Sequence, residues 1–132
     1  MMTAELIIIQ KIRAAFSIPQ DISDEWITRN TYIFETVDAK EAINYLPIFM
    51  IWVLNNHRAN PQSSAYIHLL QALNEYSKCK RNNNPHLNLW HQLNKQQKAV
   101  VRAFLKHLLE NQSANIDRQD IQKILDRFAA VE

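Results

Sequence analysis

Five histidines, one cysteine and thirteen carboxylates are the groups in this chain that could hold a metal ion or move a proton. Metal sites readable from sequence bring ligands close together, as when two histidines of an HExxH motif lie one helical turn apart. No such spacing occurs here. His86 and His91 are five residues apart, which sets them on different faces of a helix, and His57, His68 and His107 fall in three separate predicted helices. Cys79 stands alone, which excludes an internal disulfide and fits a reducing compartment. No serine is marked as a nucleophile on a tight turn. The acid pairs Asp24-Glu25 and Asp117…Asp120 suit the positive ends of helices. The residues therefore predict no catalytic, metal or cofactor-binding residues, no cofactor, and a protein that is not an enzyme.

The elements around these groups read as helices. The 132 residues contain no glycine, where average usage gives roughly nine. That excludes the glycine-rich phosphate loop and the dinucleotide fingerprint, which need glycine at fixed positions. No stretch alternates with the period of two that marks a strand. Apolar residues instead recur at helical spacing in four stripes. These are Ile8, Ile9, Ile12, Ala15, Phe16; Tyr66, Leu69, Leu70, Leu73, Tyr76; Val100, Val101, Phe104, Leu105, Leu108, Leu109; and Ile121, Ile124, Leu125, Phe128. Between the first two, Tyr45–Leu54 is apolar all the way round, with Pro47 inside it. Ten residues are half of what a bilayer span needs, so this segment reads as a core helix. Asp38 and Glu41 have capping-box spacing at its start, and Asn94 with Gln97 repeats that signal further on. Ser23 or Asp24 could cap a short helix carrying Trp26, Ile27 and, in its longest reading, Tyr32-Ile33-Phe34, Ser63 or Ser64 the helix after Pro61, and Asp117 the last, with Ile116 and Ile121 as a staple. Leu87, Leu89, Trp90 and Leu93 suggest one helical turn. The expected fold is all-α, a single domain over 1–132. It is a bundle of about five helices around a central, proline-kinked apolar helix at about 38–56. The N-terminus lacks a basic leader, and Lys11 and Arg13 interrupt its apolar run, so the expected compartment is the cytoplasm, without a membrane partner.

Charge is segregated. Residues 76–106 hold seven basic and no acidic side chains, whereas residues 21–41 carry six acids against Arg29 and Lys40. Lys98, Arg102 and Lys106 fall at i, i+4 and i+8, forming one ridge opposite the Val100/Phe104/Leu108 stripe. Such a ridge could contact phosphates or simply be a solvated face. A net charge of +2 and the absence of any DNA-binding motif favour the solvated face and disfavour nucleic acid as partner.

Two motifs carry a resemblance. Tyr45-Leu46-Pro47-Ile48-Phe49 and the later Leu93, Gln97, Val100, Phe104, Leu105 and Leu108 are similar to the YLPxF and Q..aV..FL..L patterns of a family of small all-helical bacterial proteins of unknown function. The opening Ile12–Phe16 also fits. The resemblance spans roughly residues 5–110 and leaves the last helix, 116–130, outside. Such families look like the small helical proteins encoded beside secreted bacterial toxins, many of which serve as immunity proteins. The resemblance thus implies a non-catalytic binding protein whose partner is a cognate toxin or effector. The expected contact surface is the acidic stretch with Asp21, Asp24, Glu25, Trp26, Arg29 and Glu35, Trp26 being the residue type that anchors interfaces. Whether Trp26 belongs to that surface or to the core stays open on sequence alone. The alternative surface is the Lys98/Arg102/Lys106 ridge. The alternative function is a nucleic-acid-associated or regulatory helical protein using the basic 78–106 segment. A homodimer is compatible with either.

Overall fold

Five of the helix starts are fixed by a short polar side chain turned back onto the first turn. In the computed structural model, which describes residues 3–18, 22–60, 63–111 and 118–131, Thr3 accepts the Leu6 N–H at 3.1 Å to open α1 (Ala4–Ala15). Ser23 does the same for Trp26 at the start of α2 (Asp24–Arg29), and Ser63 for Tyr66 at the start of α5 (Ser64–Ser77). Between them lie α3 (Ile33–Thr36) and α4 (Ala39–Asn56), the latter capped by the Asp38 carboxylate on the Glu41 N–H at 2.9 Å. After the short α6 (Leu89–Gln92), Asn94 and Gln97 form a complete capping box at the start of α7 (Lys95–Asn111). Each side chain accepts the other's N–H, at 2.8 and 3.0 Å. Gln97 also donates to the Ala15 carbonyl, tying α7 to the end of α1. The last helix is α8 (Arg118–Ala130); its expected cap Asp117 and staple residue Ile116 lie outside the described residues. A cap of this kind stabilises a helix by about 0.5–2 kcal/mol.

The five helices expected from periodicity are α1, α4, α5, α7 and α8. They close a ring in which α1 packs on α7, α7 on α8, α8 on α5, α5 on α4 and α4 on α1. The three short helices fill in around α4 and α5: α3 and α6 touch both, and α2 packs on α5. Residues 24–36, expected as one short helix, are two helices because Asn30 ends the first by donating its side-chain amide to the Trp26 carbonyl at 2.7 Å. All eight helices among the described residues contribute to one hydrophobic core.

α4 runs through Pro47, whose ring supplies no N–H for the Ile43 carbonyl but is itself buried. Leu46–Met50 and Trp52–Leu54 are buried, with Tyr45 and Ile51 half-buried against the same core. Phe49 is fully buried and meets the edge of Phe34 at 5.0 Å and of Trp26 at 6.4 Å. On the far side of the core Trp90 stacks on Phe128 at 3.9 Å, joining α6 to α8. No helix among the described residues is long and apolar enough to cross a membrane.

Phe49→Ala should therefore destabilise the fold by about 3–5 kcal/mol, the usual cost of truncating a buried aromatic. Denaturant unfolding followed by circular dichroism measures it, and a parent-like transition would contradict the placement of α4 at the centre.

Candidate functional site

The acidic stretch expected to face a partner divides between surface and core. Asp24 and Glu25 occupy the first turn of α2 and are exposed. Glu25 reaches Arg29 one turn on, at 2.6 Å, but both side chains are largely in solvent, where such pairs contribute about 0–1 kcal/mol. Trp26 is turned inward. It is half-buried and stacks on Tyr45 at 5.6 Å, so it fastens α2 to α4. Asp21 lies outside the described residues. Glu35 is exposed on α3, 3.8 Å from His68 Nδ1, and the same histidine packs against the Tyr32 ring at 4.1 Å. Tyr32, which the sequence offered only as a possible member of the short helix, stands at the start of α3 and is 56% exposed.

Beside Glu35 opens a groove of about 590 Å³ between α3, α5 and residues 86–87. Phe34, Val37 and Leu87 contribute apolar wall, and Glu35 and Glu75 bring carboxylates to it. Tyr76 also lines it, and its buried hydroxyl has no hydrogen-bond partner among the described residues. Burial pushes that phenol up to about 12, so it remains neutral.

The alternative basic ridge is less free than its spacing suggested. Lys98 and Arg102 are half-buried and sit over the Trp90 ring, 5.7 and 5.8 Å from its centroid. Of the three, Lys106 is the exposed one. The indole face gives the other two a packing role.

A third arrangement was invisible in the sequence. Glu5 in the first turn of α1, His57 capping the end of α4 and His107 near the end of α7 converge, although successive members are about fifty residues apart. One donor atom from each lies within 4.8 Å of the others. His107 Nε2 is 2.5 Å from Glu5 Oε2, outside hydrogen-bond alignment, while Arg58 holds the same carboxylate through Nε at 3.1 Å and its terminal nitrogen at 3.3 Å. The two imidazoles meet edge to face at 5.7 Å. Both histidines are buried, and Nε2 of each has no hydrogen-bond partner among the described residues. Asn111, one turn beyond His107, places its amide nitrogen 3.3 Å from His107 Nδ1. The Arg58 hydrogen bond, with the nearby His107, Arg58 and His57 charges, outweighs burial and lowers the Glu5 carboxyl below the usual range. Burial chiefly, helped by the charges of Arg58 and His107 and opposed by Glu5, lowers His57 and favours its neutral form. A neutral imidazole and an ionised carboxylate are the forms that accept a proton or bind a metal.

The chain belongs to a family of unknown function (DUF6714), whose model covers residues 6–129. No curated protein and no solved structure matches it. The family model reaches residue 129, within α8, whereas the resemblance read from the motifs spans roughly residues 5–110.

The buried cluster makes stability pH-dependent. His57 is depressed on folding, so its contribution is present above its unfolded value of about 6.5 and lost as pH falls below that. Glu5, also depressed, adds a loss in the same direction at lower pH, through its folded value. In metal-free buffer the melting temperature should fall on going from about pH 7.5 to about pH 5.5, and His57→Gln should flatten that fall. An equal fall in the variant would contradict the assignment to His57.

Proposed function

We propose that this protein is a non-catalytic binding protein of the immunity type, which neutralises a cognate toxin in the cytoplasm by occupying the toxin's functional surface. The observation that carries the reading is the junction at Glu35. There the exposed Tyr32, the His68 ring it packs on, the exposed Glu35 and the groove lined by Glu35 and Glu75 adjoin one another. Three large apolar side chains are exposed among the described residues, Leu6, Ile7 and Tyr32, and Tyr32 is the one within the acidic stretch. An aromatic anchor surrounded by charge is the composition of an interface centre. The occupant we infer is a basic loop at the edge of a toxin's active-site cleft. Toxins that attack nucleic acid carry such clefts, and an acidic surface both steers the encounter and takes the place of substrate phosphates. The packing of α3 on α4 and α5 holds Tyr32 and Glu35 in place and reduces the ordering cost of binding. The resemblance to helical proteins encoded beside toxins supports the same reading. The alternative, nucleic-acid contact through Lys98, Arg102 and Lys106, draws less support because two of the three lie over Trp90.

Asp24→Lys, Glu25→Lys and Glu35→Lys together, with helicity and melting unchanged, should raise the Kd for the product of an adjacent toxin-like reading frame by several tenfold steps, each about 1.4 kcal/mol. Isothermal titration measures this. Unchanged affinity would move the interface to the basic ridge, and no binding by the parent protein would end the immunity reading.

A further inference from the structure

We propose that Glu5, His57 and His107 form a binding site for one divalent transition-metal ion of the zinc class, clamping α1, the end of α4 and α7 together. This does not depend on the toxin reading, since the groove lies on α3 and α5. Two imidazoles and one carboxylate are a donor set suited to zinc, which leaves a fourth position for water or another ligand. The donors already lie within 4.8 Å of one another. Bond lengths of about 2.0–2.2 Å place tetrahedral zinc ligands roughly 3.3 Å apart, so closure needs a side-chain shift on the order of 1 Å.

Burial supplies the second, independent observation. His57 is 2% exposed and its Nε2 has no hydrogen-bond partner among the described residues, while the Nε2 of His107, 6% exposed, meets only the Glu5 carboxylate, out of hydrogen-bond alignment. A buried polar atom left unpaired costs free energy, and a native fold answers that cost with a water or an ion. One nitrogen could be met by a water alone. Two imidazoles converging on an ionised carboxylate favour a cation. The surroundings fit a metal centre as well. Arg58 orients Glu5 from the outside, and its side chain is 56% exposed, so it can swing toward solvent or keep hold of the oxygen that does not ligate. Asn111 stands at His107 Nδ1, where its amide oxygen, after rotation, would accept the Nδ1–H of a metal-bound ring.

The test is a titration of chelator-treated full-length protein with Zn(II), read by calorimetry and by melting temperature. One ion per chain is expected, with micromolar or tighter affinity and a rise in melting temperature. His57→Gln and Glu5→Gln should each weaken binding by about 100-fold or more, while His86→Gln, at an exposed histidine, should leave it unchanged. Failure to bind one ion per chain, or equal binding by parent and His57→Gln, would overturn the proposal. Should a variant fail to fold, Co(II) added to the parent decides instead. Intense visible bands of a four- or five-coordinate site support the proposal, and the pale spectrum of octahedral Co(II) overturns it.

Discussion

The structure depends on the Leu46–Leu54 stretch of α4 having no face left to water. From Leu46 to Leu54 every side chain is buried or half-buried, and Phe49, Met50 and Val53 are fully so. An amphipathic helix needs one neighbour, but a helix apolar all round must be enclosed. Enclosure here takes α1 and α5 as flanking members of a five-helix ring, with α3 and α6 laid directly on α4 and Trp26 of α2 against its Tyr45 and Phe49. Those helices are individually short, so packing against α4 stabilises them more than their own propensities do.

The two ends of α4 then place the two chemical features of the surface and interior. At its N-terminus the Ala39 N–H donates to the Pro85 carbonyl at 2.8 Å, holding residues 84–88 beside α3 and α5 where the groove forms. At its C-terminus His57 caps the last turn through its backbone N–H on the Val53 carbonyl and turns its ring toward Glu5 and His107. Eighteen residues separate these ends, roughly 27 Å at about 1.5 Å per residue. Groove and polar cluster are thus independent in space, and a change at one has no direct contact through which to alter the other. The cluster is also where the interior departs from apolar packing, and Arg58, reaching in from solvent, is the largest cause of the lowered Glu5 carboxyl.

Much of this was legible in the chain, and what was not has a physical reason. The stripes Tyr66–Tyr76, Val100–Leu108 and Ile121–Phe128 became buried faces because a helix long enough for three turns exposes its period. Asp38 and the Asn94–Gln97 pair became caps because capping acts over three residues. Residues 24–36 were harder, since helices of six and four residues are too short to show a period. Lys98 and Arg102 read as solvated because periodicity tells which face of a helix is polar and not which neighbour covers it, and here Trp90 does. Trp26 could not be assigned to surface or core from composition, and its stacking on Tyr45 decides for a half-buried place. Glu5, His57 and His107 carried no signal at all. Each sits at or near a helix end, where polar residues are ordinary, and only the closing of the ring brings them together.

Native-state hydrogen exchange tests the role of α4 most directly. If enclosure of α4 is what the other helices depend on, the amides of Met50 and Val53 should exchange only when the whole protein unfolds. Their opening free energy would then equal the value from denaturant unfolding and match or exceed that of any amide in α5 or α7. Opening of α4 at a lower free energy, with α5 and α7 still protected, would show that the bundle stands without its central helix and would contradict the account.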